Sequence, residues 1–87
     1  MVDGWRIILA PRAEKALKRM PADEMRRWLS AIDRLAQDPA SARVKALKGR
    51  PEWSLRVGGR RALLRIDREA RAIVIVAIGS RGDVYKD

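Results

Sequence analysis

Residues 47–61, Leu47-Lys48-Gly49-Arg50-Pro51-Glu52-Trp53-Ser54-Leu55-Arg56-Val57-Gly58-Gly59-Arg60-Arg61, decide how this chain reads. They spell a basic loop that feeds a tight β-hairpin. A two-residue turn at Gly58-Gly59 pairs Val57 with Arg60 and Arg56 with Arg61. Directly opposed residues of an antiparallel pair share one face, and like charges placed there repel. A fold normally avoids such a pair unless an anion sits between the two cations. Polymeric phosphate is the obvious anion.

Parity along the hairpin assigns its two faces. Trp53, Leu55, Val57, Ala62, Leu64 and Ile66 share the face expected to pack on the rest of the domain. Glu52, Ser54, Arg56, Arg61, Leu63 and Arg65 share the other. Glu52 lands opposite Arg65 and is placed to pair with it. The plainer alternative is a solvent-facing sheet on which Arg56 and Arg65 only protect an edge from pairing.

Outward from the hairpin, the remaining elements follow from periodicity. Trp5-Arg6-Ile7-Ile8-Leu9 reads as a first strand. Pro11 suits the first turn of a helix reaching about Arg19, with Ala13, Ala16, Leu17 and Met20 on one side. Pro21 breaks it and opens a second helix, whose Met25, Trp28, Leu29, Ile32, Leu35 and Ala36 form an apolar stripe. Asp38-Pro39 stops that helix. Residues 40–52 read as a basic linker. Strands are expected at about 53–57, 60–66 and 72–79, with Asp67 to Arg71 as the second turn. Ala72-Ile73-Val74-Ile75-Val76-Ala77-Ile78 is continuously apolar and should be a central strand buried on both faces. The expected fold is α+β, a single domain over residues 1–87. An N-terminal strand and an αα-hairpin pack on one face of a mostly antiparallel four-stranded sheet. With five residues in the 67–71 turn, Ile73, Ile75, Ala77 and then Arg81 fall on the Arg61 face.

Composition narrows the chemistry. Eighty-seven residues bury a modest core, so an active site here is an open groove and not a deep pocket. The chain has no cysteine and no histidine. Thiol nucleophiles, zinc knuckles and imidazole acid–base pairs are thereby excluded, and neither metal nor cofactor is expected. No apolar run is long enough to span a membrane, no membrane partner is expected, and the cytoplasm is the default location. The net charge of +9 is unevenly placed. Residues 1–42 carry eight basic and six acidic groups, whereas residues 43–71 carry ten basic and three acidic ones. The excess therefore sits in the hairpin and the loop before it, which reads about equally as the electrostatic footprint of a nucleic-acid binder and as a solvated basic surface. Of the three tryptophans, Trp28 and Trp53 belong to apolar faces and read as core, and Trp5 stays open.

Several segments together resemble the RelE/ParE superfamily of toxin–antitoxin toxins. They are Ala10-Pro11-Arg12-Ala13-Glu14-Lys15-Ala16-Leu17-Lys18-Arg19-Met20-Pro21, Leu47-Lys48-Gly49-Arg50-Pro51, Leu55-Arg56-Val57-Gly58-Gly59-Arg60-Arg61, and Ile78-Gly79-Ser80-Arg81 with Asp83-Val84-Tyr85-Lys86. The resemblance runs the length of the chain, and its tail is more similar to the RelE branch. It implies the RelE-like fold and a ribosome-dependent mRNA endonuclease that works without a metal. In that reaction the ribose 2′-hydroxyl attacks its own 3′-phosphate. A cognate antitoxin with an acidic amphipathic segment, the ribosome and mRNA are the implied partners. The resemblance places family site residues at Arg61, Arg81 and Tyr85. Family lysines of the first hairpin strand are replaced here by Glu52 and Ser54.

Cleavage of this kind needs a base, charge stabilisation on the phosphate and an acid for the leaving oxygen. Arg61 and Arg81 suit the non-bridging oxygens, with Arg56 as a third contact. Tyr85 suits stacking on a base, or proton transfer through its phenol. Glu52 is the one carboxylate on the arginine face and the candidate base, with a salt bridge to Arg65 as its other role. Lys45, Lys48, Arg50 and Arg65 are expected to grip RNA phosphates. A gyrase-binding toxin of the ParE kind and a non-catalytic RNA-binding relative are the competing readings.

Overall fold

The computed structural model describes residues 4–39 and 44–80. Strand β1 (Arg6–Leu9) leads into helix α1 (Pro11–Lys18) and helix α2 (Ala22–Gln37). Strands β2 (Val44–Ala46), β3 (Trp53–Val57), β4 (Arg60–Asp67) and β5 (Ala72–Ser80) follow. They form one five-stranded sheet in the order β1-β5-β4-β3-β2, antiparallel except for the β1–β5 pair.

Both helices begin where proline directs them. Pro11 occupies the first turn of α1, where its missing N–H has no intrahelical partner to lose. Pro21 caps α2, and its carbonyl accepts from the Met25 N–H at 2.9 Å. Asp23 and Glu24 lie in the first turn of α2, where the helix dipole favours negative charge. Asp38 is extended ahead of Pro39 and ends the helix. Among the described residues, no helix is long and apolar enough to cross a membrane.

The core lies between the helical hairpin and one sheet face. Ala13, Leu17 and Met20 meet Trp28 and Leu35 of α2 there. Leu55, Ala62, Leu64, Ile73, Ile75 and Ile78 rise from the sheet to complete it. Trp53, Val57 and Ile66 pack at its margin, so the apolar hairpin face is the one expected from parity. Trp28 is 1% exposed, and Trp53 packs against the core. Trp5 also packs against the core; its backbone N–H donates to the Ala36 carbonyl at 2.8 Å, and the Arg71 guanidinium lies 5.7 Å from its ring centre.

The sheet departs from the sequence reading in two ways. It has five strands and not four, because Val44–Ala46 pairs with β3 inside the expected linker. Three residues are too few for the apolar–polar–apolar order of Val44-Lys45-Ala46 to signal a strand, which is held by the free edge of β3. The second departure concerns β5. Asp67 itself pairs with Ala72, so the connection has four residues and Ile73 opposes Ile66 on the core face. A bulge then shifts the register, since Leu64 pairs with Ile75 but Leu63 pairs with Ala77. The extra residue, Val76, returns Ala77 and Gly79 to the Arg61 face. Ile73 and Ile75 therefore lie in the core, contrary to a simple count, and only Ala77 keeps the expected face. As expected, β5 is an interior strand; five of its residues are buried, drawn from both faces.

Candidate nucleic-acid interface

The sheet face turned away from the helices carries the charged residues. Two cross-strand rows organise it. Lys45, Ser54 and Leu63 are successive partners across β2, β3 and β4. Arg56, Arg61 and Gly79 are successive partners across β3, β4 and β5. The expected opposition of Arg56 and Arg61 is thus present in the register. Gly58 and Gly59 close the hairpin, and only Gly58 has a positive φ, 61°, the φ pattern of a type II′ turn. Gly79 brings no side chain to the Arg61 row, so the row ends in backbone beside the guanidinium.

These rows border an open groove of about 630 Å³ lined by Val44, Lys45, Ser54, Arg56, Gly58 and Arg61. Arg56 turns back toward the turn, its Nε donating to the Gly58 carbonyl at 3.4 Å. Arg61 is half-buried, and Ser54 is 9% exposed at the groove floor. Three cations from three different strands therefore converge on one concave surface. Such a surface favours a polyanion, and planar guanidiniums suit paired phosphate oxygens.

The other site candidates fall elsewhere. Glu52 is 7% exposed and clamps two arginines. Its Oε1 accepts from Arg50 Nε at 3.2 Å, and its Oε2 lies 3.6 Å from a terminal nitrogen of Arg65. Arg65 stands four residues beyond Arg61 on β4, which is about 13 Å at roughly 3.3 Å per residue. Glu52 is therefore near Arg65, as parity suggested, and far from the Arg56–Arg61 pair. Lys48 is exposed in the turn before β3. Arg81 and Tyr85 lie outside the described residues.

Two features were not legible in advance. Lys45 was expected in a loop, yet it stands on β2 directly across from Ser54. Arg60 was expected only as a turn-closing residue, yet its Nε donates to Glu24 Oε2 at 2.9 Å and ties the hairpin to the first turn of α2. The two residues are 36 positions apart, and no local pattern signals such a pair.

The family model for the ParE toxin of the type II toxin–antitoxin system parDE matches residues 7–85. The chain is similar in structure to a chain of an archaeal RelE–RelB complex from Pyrococcus horikoshii OT3. That match has 25% identity and a TM-score of 0.79, and covers 95% of this chain and 99% of the other. It is also similar to a chain of the toxin–antitoxin complex RelBE2 from Mycobacterium tuberculosis, with 25% identity, a TM-score of 0.77, and coverage of 90% and 99%. The isolated RelE toxin of E. coli shares the fold at 17% identity, with a TM-score of 0.75 and coverage of 93% and 90%. No curated protein sequence matches the chain.

Proposed function

We propose that this chain, which belongs to the ParE toxin family of type II toxin–antitoxin systems within the RelE/ParE superfamily, is a ribosome-dependent mRNA endonuclease of the RelE kind. The observation that carries the reading is the groove in which Lys45, Arg56 and Arg61 converge. A toxin acting only by protein contact has no need of opposed arginines on a concave face, and these repel each other until an anion arrives.

In this reading Arg61 and Arg56 hold the non-bridging oxygens of the scissile phosphate. They stabilise the charge that builds as the 2′-oxygen attacks phosphorus and its proton passes to water. The bond to the 5′-oxygen breaks, leaving a cyclic phosphate on one fragment and a 5′-hydroxyl on the other. Guanidinium groups hold their protons too tightly to serve the leaving group. Lys45 is the groove's one ammonium, and it is the acid for the departing 5′-oxygen, with the Ser54 hydroxyl beside it. Arg81 adds a further phosphate contact, and Tyr85 stacks on a base of the single strand. Most of the rate comes from placement of the mRNA in the ribosomal A site and from electrostatics, so free RNA is cut slowly.

The partner is a cognate antitoxin; several similar solved chains come from toxin–antitoxin complexes. Its acidic segment neutralises the arginine face. The site of action is the cytoplasm, where ribosomes translate. The test is a reconstituted translation system with purified chain. New mRNA fragments ending in a 2′,3′-cyclic phosphate and a 5′-hydroxyl are expected. Intact mRNA together with inhibited DNA gyrase would transfer the chain to the gyrase-poison reading, which its ParE family match keeps open.

A further inference from the structure

Glu52 is the most buried charged side chain of the outer sheet face, and the cleavage reaction above leaves it without a task. It sits about 13 Å along the strand direction from Arg61, beyond hydrogen-bond reach of a phosphate held there. Each of its two oxygens instead faces a guanidinium, Arg50 at 3.2 Å and Arg65 at 3.6 Å. The side chain of Glu52 is 9% exposed, that of Arg50 39% and that of Arg65 68%. The carboxylate is thus fixed and the arginines reach in to it. The loop geometry supports this placement. Gly49 has φ 74°, Arg50 N–H donates to the Leu47 carbonyl at 3.2 Å, and Leu47 N–H donates to the Glu52 carbonyl at 3.1 Å. The turn before β3 is closed on itself and presents Glu52 to β4.

We infer that Glu52 is an internal phosphate mimic that limits the RNA footprint to the Lys45–Arg56–Arg61 end of the face. The inference rests on the proposed RNA-binding role of that groove. A phosphate approaching Arg50 or Arg65 must displace a carboxylate already in place. Glu52 cancels one of the two guanidinium charges, so the Arg50–Glu52–Arg65 group has one fewer counterion to release than its two arginines would have alone. The groove cations face no carboxylate in their rows and bind phosphate with full gain. Glu52 therefore sets where the strand crosses the sheet: it determines register on the RNA, while Arg50 and Arg65 serve as its counter-charges. Neutralising it opens a second anion position on the same face.

The experiment is a salt titration of binding to a single-stranded RNA oligonucleotide, with wild type, Glu52→Gln, Arg50→Ala, Arg65→Ala and the Glu52→Gln/Arg65→Ala double variant. Each phosphate contact contributes a slope of about −0.7 on the log–log plot. Glu52→Gln, close in size and shape to the native side chain, removes one negative charge and is expected to steepen the slope by about 0.7. Between 50 and 200 mM salt that is an additional loss of about 2.6-fold in affinity. Adding Arg65→Ala to Glu52→Gln is expected to return the slope to its wild-type value, and Arg50→Ala or Arg65→Ala alone to flatten it by no more than the one net charge the group holds, about 0.7. Melting curves establish that each variant is folded; should Glu52→Gln fail to fold, Glu52→Ser serves in its place. The inference is overturned if Glu52→Gln leaves the slope at its wild-type value. It is equally overturned if Glu52→Gln abolishes cleavage with binding unchanged, since Glu52 is then the base. Failure of the underlying RNA reading looks different: Lys45→Ala and Arg61→Ala leave binding untouched.

Discussion

Replacing Arg61 by glutamine should make the free protein more stable while destroying its affinity for RNA. Arg61 opposes Arg56 in the β3–β4 register. Their Cβ atoms are then about 5 Å apart, and a charge separation of about 7 Å is taken as the scale for two such long side chains. Two unit charges at about 7 Å in water repel by about 0.6 kcal/mol. That agrees with the roughly 0.2–1 kcal/mol assigned to directly opposed pairs. Glutamine keeps part of the aliphatic stem, so little packing is lost at a half-buried position. A gain of about half a kcal/mol raises the melting temperature of a domain of this size by roughly 2–4 °C. Screening at physiological salt, with a Debye length of about 8 Å, removes more than half of it. The assay is thermal denaturation at low and high salt, with and without an RNA oligonucleotide. Wild type should gain stability on adding RNA, about 2.7 kcal/mol at a hundredfold excess over Kd. Arg61→Gln should gain much less. A variant that melts lower at low salt, or that is still fully protected by RNA, would refute the claim that this pair is held apart for an anion.

Other expectations are shorter to state. Lys45→Ala should weaken RNA binding and slow cleavage on ribosomes while leaving the melting temperature nearly unchanged, because the side chain is exposed on an edge strand; mobility-shift and fragment-end assays read both. Gly58→Ala should cost about 1–2 kcal/mol in chemical denaturation, since an L residue is strained at φ 61° although nothing crowds the added Cβ. Trp28→Ala should cost roughly 3–5 kcal/mol and leave the chain largely unfolded in a denaturant melt, given its near-complete burial between helix and sheet. Expression of the chain alone should arrest growth, and co-expression of its antitoxin should relieve the arrest; normal growth with soluble protein in the cell contradicts an active toxin.

The hairpin was legible because its turn chemistry is local. Gly58-Gly59 sets the pairing, and parity then places every side chain of 53–66. The helices were legible through Pro11, Pro21 and Asp38-Pro39, which punctuate clear apolar stripes. Strand β2 was not, because three residues are too few for the alternation of Val44-Lys45-Ala46 to count, and the strand exists through the free edge of β3. The face of β5 was misread at Ile73 and Ile75. Asp67 pairs instead of turning, and the extra residue Val76 is invisible in a run that is apolar throughout. The geometry of the candidate site was legible in part. Arg56 and Arg61 followed from the register, whereas the place of Lys45 depended on an unforeseen strand. Glu52 was read as facing Arg65, but its second contact to Arg50 depends on a turn that folds back through Gly49. Arg81 and Tyr85 rest on resemblance and lie outside the described residues.

Primer extension on mRNA from translating ribosomes tests the central claim most directly, with wild type, Arg61→Ala and Arg81→Ala compared at equal soluble protein. Wild type should produce new 5′ ends at the codon in the A site. Each arginine variant should reduce them by about 10²–10³ in rate, the cost of losing one donor aimed at developing charge. Undiminished cleavage by Arg61→Ala, or no new ends from wild type, contradicts the account.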